Sequence, residues 1–521
     1  MNSKKIMNKK KIISLLLVMG LIVTSITGCG KKDGDSKGAD ATNPDEKVTL
    51  TYWIEFSPSQ AIKSLNESEM YKELEKRTGV HIEFIHPAEG QAQEQFNIMI
   101  NSNDMPDIIQ DYGSAYPGGV DKAINDGAFI KLNDLIDKYA PNFKKLRESD
   151  KNIAQQTITD EGNIWGFPCI QTMDEPAWHG PEIRKDWLDE LGLKIPTTID
   201  EWHTALKAFK EKKNVQAPLM MNKSGVDYFG VFVGAYDIGP YFYQKDGVVK
   251  YGPYEPEFKD YLTTMNKWYK EGLIDKDFAT RDNKSKEAMI TSGKAGVFMG
   301  PYGSVDTYSA ALKSADPKGQ FAAAPYPSLK PGENVHYREV DYNNKGYEAV
   351  ITSSCKHPEE AVKWFDYAYS PEGAMLYNYG IEDVSYKMVD GKPQFTDLMT
   401  KNPDGDYWTI QEKYKRGIGP YLRDWAACPP FSPESQDCMD TWSKAEYDYC
   451  IPMTSMTAEE NDKYSSVVTE INTFKGESIL KFITGAEPLS KFDNYINQLK
   501  KMGIEDAIKI QQDALDRFNK R

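Results

Sequence analysis

KVTLTYWIEFSPSQAIKSLNESEMYKELEKRTGVHIEFIH, residues 47–86, is the stretch that decides the fold. Its first ten residues alternate β-branched and aromatic side chains, the pattern of a strand. Ser57-Pro58 then offers an N-cap and a proline for a first helical turn. The spacing predicts a helix through Ile62, Leu65, Tyr71 and Leu74 that stops at Gly79. VHIEFIH (80–86) is the next strand. A further helix from about residue 90 leads to NSNDMPDIIQDYG (101–113), a tight loop feeding a short buried strand. Strand–helix–strand–helix order predicts α/β layers.

Toward the N-terminus the character changes. Lys4, Lys5, Lys9, Lys10 and Lys11 precede the uncharged run IISLLLVMGLIVTSIT, which ends in small residues. That is the layout of a secretory signal. A helix that spans a bilayer wants about 20 apolar residues, so an uncleaved anchor is the weaker reading of this run. Ile26-Thr27-Gly28-Cys29 resembles a bacterial lipobox, in which the cysteine is lipidated and becomes the first residue. Residues 30–47, rich in Gly, Lys, Asp and Ser, have almost nothing apolar to bury and suit a flexible tether. The expectation is a signal peptide over 1–28, a lipidated Cys29 with tether over 29–47, and an exported protein held at the membrane.

The chain of 521 residues carries a net charge of −15. Residues 1–28 hold five lysines and no acid, so the remainder stands near −20. Nucleic-acid binding draws on Lys/Arg neutralising phosphates, and an acidic chain without a basic patch is built against it. The part after the tether is too long for one core and predicts two lobes. Five cysteines follow Cys29, namely Cys169, Cys355, Cys428, Cys438 and Cys450. Their spacing fits no zinc motif, and an odd number leaves at least one outside any intrachain disulfide. Cys428 and Cys438 lie close enough in sequence to close a short loop, which the sequence leaves open.

Seven segments occur in an order that resembles the family 1 extracellular solute-binding proteins of ABC importers. They are NSNDMPDII (101–109), DEGNIWGFP (160–168), EIRKDWLDELGLKIPTTIDEWHTALKAF (182–209), KEGLIDKDFAT (270–280), GKAGVFMGPYGSV (293–305), FAAAPYPSLKPGE (321–333) and the segment from Met456 to Phe518. The nearest resemblance is to the LplA-like and alginate-oligosaccharide-binding branch. It implies a two-lobed, type II periplasmic-binding-protein fold of α/β class with a helical C-terminal region. It also implies hinge-crossing strands, a ligand held between the lobes, and delivery to ABC permease subunits after hinge closure. NIWGFP (163–168) reads as a crossing out of the first lobe and GYEAVITSS (346–354) as the return. A third crossing falls near 405–425. Lobe 1 is thus expected over 48–162 and 346–410, and lobe 2 over 163–345 and 411–521.

Members of that branch often carry a calcium loop after the helix matching EWHTALKAF. Here KEKKNVQAPLM (210–220) stands in its place, basic and short of the six to eight oxygens calcium wants. DKDFATRDN (275–283) reads as a helix-capping turn. No cofactor or metal is expected.

Ligand contacts are sought at strand ends and in loops, because Trp187, Trp202, Trp268 and Trp364 lie within amphipathic helices and read as core. Trp53 and Glu55 end the first strand, and Asp111 and Tyr112 follow the strand after PDII, where open α/β sheets bind ligands. Trp178 lies in the polar loop DEPAWHG, and Tyr236 in FVGAYDIGPYF is a similar loop candidate. By resemblance to maltodextrin-binding proteins, Tyr302 in GKAGVFMGPYG matches an aromatic that stacks on sugar. Trp425 in RDWAACPPF falls near another, with a poorer local match.

Aromatic faces suit sugar rings and polar side chains suit their hydroxyls, so an oligosaccharide is the expected ligand. A monomer is expected, on the outer face of the cytoplasmic membrane of a Gram-positive bacterium. A surface sugar sensor without a permease is the alternative. A glycan-active enzyme is the weakest reading, since no GxSxG, HExxH or Cys-His signature occurs and acid pairs such as Asp104/Asp107 arise by chance among 78 acids.

Overall fold

Val80–Ile85 alternates strictly, with Val80, Ile82 and Phe84 buried and His81, Glu83 and Ile85 exposed. It is the edge strand of a four-stranded sheet, and at this edge one face is open. Val48–Trp53 lies beside it in parallel, and Ile108–Gln110 pairs in parallel on the other side. Ala349–Ile351 closes the sheet antiparallel to Ile108–Gln110, although more than two hundred residues separate them. The computed structural model describes residues 47–172, 176–222, 230–428 and 431–521. Lys47–Arg521 forms a compact unit of its own. Cys29, the apolar run before it and the tether lie outside the described residues.

Consecutive residues of a strand point to opposite faces, and here both faces are covered. Leu50 and Tyr52 join a core with Phe84, Ile108, Phe167, Trp364, Phe365 and Tyr421. Trp53 enters a smaller cluster on the opposite face with Phe96, Met105, Ile109 and Val350.

The expected first helix is shorter than its apolar spacing suggests. It spans Glu69–Thr78 and stops at Gly79, whose φ of +74° is the left-handed cap that glycine supplies without cost. Ser57-Pro58 does not start it. Ile62 and Leu65 are buried from an irregular segment and a 3-10 turn over Leu65–Glu67. The reason is tertiary. The Asn66 amide donates to the Phe84 carbonyl at 2.9 Å and accepts from the Phe84 N–H at 2.8 Å, tying the turn to the sheet.

A second sheet has the order Phe321–Ala323, His179–Arg184, Ala295–Pro301, Ala217–Leu219, with only the last pair parallel. Its core gathers Ile183, Trp202, Phe209, Trp268, Val297 and Phe482. Trp202 and Trp268 belong to helices Ile199–Lys213 and Glu257–Lys270. With Trp187 and Trp364 they are buried, as their helical spacing predicts. Gly180 lets helix Pro433–Trp442 lie on the sheet, since a Cβ there would meet the Trp442 ring at about 2.4 Å. Three helices, Ala458–Thr484, Phe492–Lys501 and Ile504–Phe518, finish the chain against this core. Among the described residues no helix is long and apolar enough to cross a membrane.

Among the described residues, core membership switches between the two clusters three times, between Ile170 and Ala177, between Val335 and Ala349, and between Tyr421 and Cys438. The crossings lie side by side. Phe167 and Ala349 exchange both backbone hydrogen bonds at 3.0 Å, and the Gln171 N–H donates to the Asn343 carbonyl at 2.9 Å. Leu422–Arg423 pairs in parallel with Ile170–Gln171. The result is two α/β lobes joined by three adjacent segments.

At the place expected to lack a calcium loop, helix Ile199–Lys213 ends at Asn214 in the left-handed region and strand Ala217–Leu219 follows at once. In DKDFATRDN, Asp282 caps helix Asn283–Thr291 by accepting from the Ser285 N–H at 2.7 Å, and Asp275 is buried against Arg281.

Candidate functional site

A cavity of about 640 Å³ opens where the crossings meet the second lobe. Trp178, Tyr302 and Trp425 line it together, from three segments more than a hundred residues apart in sequence. Tyr302 follows strand Ala295–Pro301 and precedes helix Ser304–Leu312, so a short turn projects it. Its N–H donates to the Trp178 carbonyl at 2.9 Å, and its carbonyl accepts from the Ser435 hydroxyl at 3.1 Å. Trp425 starts a 3-10 turn capped by Asp424, which accepts from the Ala426 N–H at 2.9 Å and from the Tyr379 hydroxyl at 3.0 Å. The Tyr302 and Trp425 ring centroids lie 6.4 Å apart at 81°, with Phe431 4.9 Å from the first and 5.6 Å from the second. All three cavity rings are half-buried.

Sequence reasoning missed further residues of this cavity. Trp408 lines it with 52 % of its surface exposed, an unusual state for so large a ring. Its flank, NPDGDYW, carries the same turn-residue signal that singled out Trp178. The Arg423 guanidinium lies 5.2 Å from the Trp425 ring centroid. Lys345 pairs with Asp341 at 2.5 Å, and Glu287 adds a carboxylate from the second lobe. Tyr347 also faces the cavity and holds a left-handed φ of +55°, rare for a bulky side chain and a mark of functional sites when the surroundings enforce it.

The first-lobe candidates form a different group. The Asp111 N–H donates to the Glu348 carbonyl at 2.8 Å, which sets this group beside Tyr347. Asp111 has φ of +67°. Its side chain is exposed. Desolvation pushes its carboxyl up to about 6, with Glu55 adding to the rise and Gln110 and Arg416 opposing it. The Tyr112 hydroxyl donates to Glu55 at 3.0 Å, and its ring packs edge-on against Trp53 at 5.1 Å.

Two expected contacts are corrected. Trp53 is only 2 % exposed, because the sheet is covered on the face it points to. Tyr236 lies in the second core, 7 % exposed, its hydroxyl 2.6 Å from that of Thr264 and its ring against Tyr261. Neither reaches the cavity.

Two lobes, three adjacent crossings and an aromatic cavity beside them are the frame of a two-lobed binding protein. The comparisons agree: the chain matches the family model described as bacterial extracellular solute-binding protein over residues 62–375, and it belongs to that family. The fructooligosaccharide ABC transporter substrate-binding protein FusA of Streptococcus pneumoniae is 26 % identical, with 97 % of each chain covered. A solved structure of FusA with kestose has a TM-score of 0.73 at 24 % identity, covering 90 % of this chain and 99 % of that one. Lipoprotein LipO of Bacillus subtilis is 28 % identical over 74 % of this chain and 76 % of its own. The alginate-binding protein AlgQ2, solved without calcium ion, gives a TM-score of 0.70 at 27 % identity, with 91 % and 98 % covered.

Proposed function

We propose that this protein captures an oligosaccharide in the cleft and delivers it to the permease of an ABC importer, without chemical turnover. The observation that carries the reading is the meeting of Trp178, Tyr302 and Trp425 in one cavity beside Arg423, Glu287 and the Asp341–Lys345 pair. Half-buried rings offer flat apolar faces to sugar rings, and charged and polar groups between them fit hydroxyls. A volume of about 640 Å³ leaves room for more than one sugar ring, and FusA's description as a fructooligosaccharide transporter protein supports the class. Asp111, Tyr112 and Glu55 complete the site from the first lobe when the hinge closes.

The lobes divide near the three crossings, with the boundaries expected at 162 and 410 moved to about 170 and 421, since Ile164, Phe167 and Ile170 pack in the first core. Residues 411–421 stay against the first core, where Tyr421 is buried. Cys29 carries the lipid that holds a monomeric receptor at the outer face of a Gram-positive cytoplasmic membrane, beside its permease. LipO's description as a lipoprotein supports this. No cofactor or calcium takes part.

A thermal-shift screen of oligosaccharides and peptides against Lys47–Arg521 tests the ligand class. At least one neutral or acidic oligosaccharide should raise the Tm. Stabilisation by peptides alone would overturn the reading. Metabolic labelling with a palmitate analogue tests the anchor, and Cys29→Ser should abolish both the label and membrane retention.

A further inference from the structure

Behind the aromatic wall lies a buried carboxyl that binding alone does not require. Glu339 is 5 % exposed and sits on the segment that carries the chain from the second core back toward Ala349. Its Oε2 accepts from the Trp178 N–H at 2.9 Å and the His179 N–H at 3.3 Å. The Trp178 carbonyl in turn accepts from the Tyr302 N–H at 2.9 Å. Two residues beyond Glu339, Asp341 opens the stretch that lines the cavity with Lys345 and Tyr347. One side chain on a crossing segment therefore grips the backbone of one cavity ring, and through it the turn that carries a second.

We infer that Glu339 is a positioning residue for the ligand cavity, locking the Trp178–Tyr302 aromatic wall to the 339–347 crossing so that hinge and wall move together. The inference rests on the ligand cavity assigned above. A purely structural role is met by any group that accepts the two amides, whereas Glu339 carries a second, buried oxygen. Oε1 has no hydrogen-bond partner among the described residues. Burial raises the carboxyl to about 8, Asp341 adds to the rise, and the Trp178 amide, Arg338 and the His179 amide oppose it. Tyr326 and Cys450 are the other titratable groups facing it. At neutral pH the group is mostly uncharged and lies quietly against the amides. Above pH 8 it becomes a carboxylate, which the Trp178 and His179 amides hold more tightly while burial and Asp341 oppose the charge, so the Trp178 backbone changes its environment.

The test is 19F NMR of protein labelled with 5-fluorotryptophan, the Trp178 signal being assigned by Trp178→Phe. The Trp178 signal should shift with a midpoint near pH 8, while buried Trp268 stays still. Glu339→Gln keeps an acceptor for the amides and should flatten the curve. With kestose as binding probe, wild-type affinity should change at least threefold between pH 7 and pH 9 and that of Glu339→Gln should not. Glu339→Ala should lose at least tenfold at pH 7. A flat wild-type signal, or the same midpoint in Glu339→Gln, would overturn the inference. The fluorine signal needs no bound sugar, so a failure of this inference is distinguishable from a failure of the carbohydrate reading.

Discussion

The two walls of the cleft use aromatic residues in opposite ways. In the first lobe Trp53 is sealed beneath Tyr112, and what faces outward is Glu55, Asp111 and the Tyr112 hydroxyl. In the second lobe and the crossings, Trp178, Tyr302 and Trp425 stay half-buried around open space. The difference lies in the elements that carry them. The central strands of a sheet covered on both faces bury rings such as Tyr52 and Trp53, whereas turns at strand ends and crossings leave rings uncovered. One wall presents hydrogen-bonding groups just past the ends of two central strands, and the other presents stacking surface.

Substitutions can break that contrast, and the largest effect falls on stability. Trp53→Ala should cost about 3–5 kcal/mol in chemical denaturation, as expected for a buried aromatic replaced by a cavity. Folded protein should still bind sugar. Tyr302→Ala should do the reverse, weakening binding by about 2 kcal/mol, roughly thirtyfold by calorimetry, with little change in Tm. Loss of binding in the first variant with none in the second would invert the roles of the walls.

Asp111→Asn sharpens the polar side of the comparison. The folded carboxyl titrates near 6, above its unfolded value, so its contribution is full below about pH 4 and lost as pH rises through 6. Wild type should therefore lose about 1 kcal/mol over that window, a figure reduced for solvent screening. Asn tolerates the left-handed backbone and should flatten the slope. Tyr236→Phe should have the smallest effect, about 1 kcal/mol for the lost hydrogen bond to Thr264, with affinity unchanged.

How much of this could be read in the sequence follows from how local each signal is. The strand–helix–strand order and the stop at Gly79 rest on neighbouring residues and are seen as expected. The helix start was hidden, because Asn66 bonds to Phe84, and no nearby residue reports that. Trp178 and Tyr302 were legible from turn residues and from a motif. Trp53 was not, since a strand with both faces buried does not say which side is open. Tyr236 sits in a glycine-rich loop that looks exposed, and Tyr261 from a distant helix covers it. Arg423 and Tyr347 reach the cavity only because three crossings lie side by side.

The most direct test of the central claim is a calorimetric titration of Lys47–Arg521 with the best-stabilising oligosaccharide, run in parallel on Tyr302→Ala. Saturable binding that weakens about thirtyfold in the variant is the predicted result. Equal affinity in the two proteins would contradict an aromatic wall that holds the sugar.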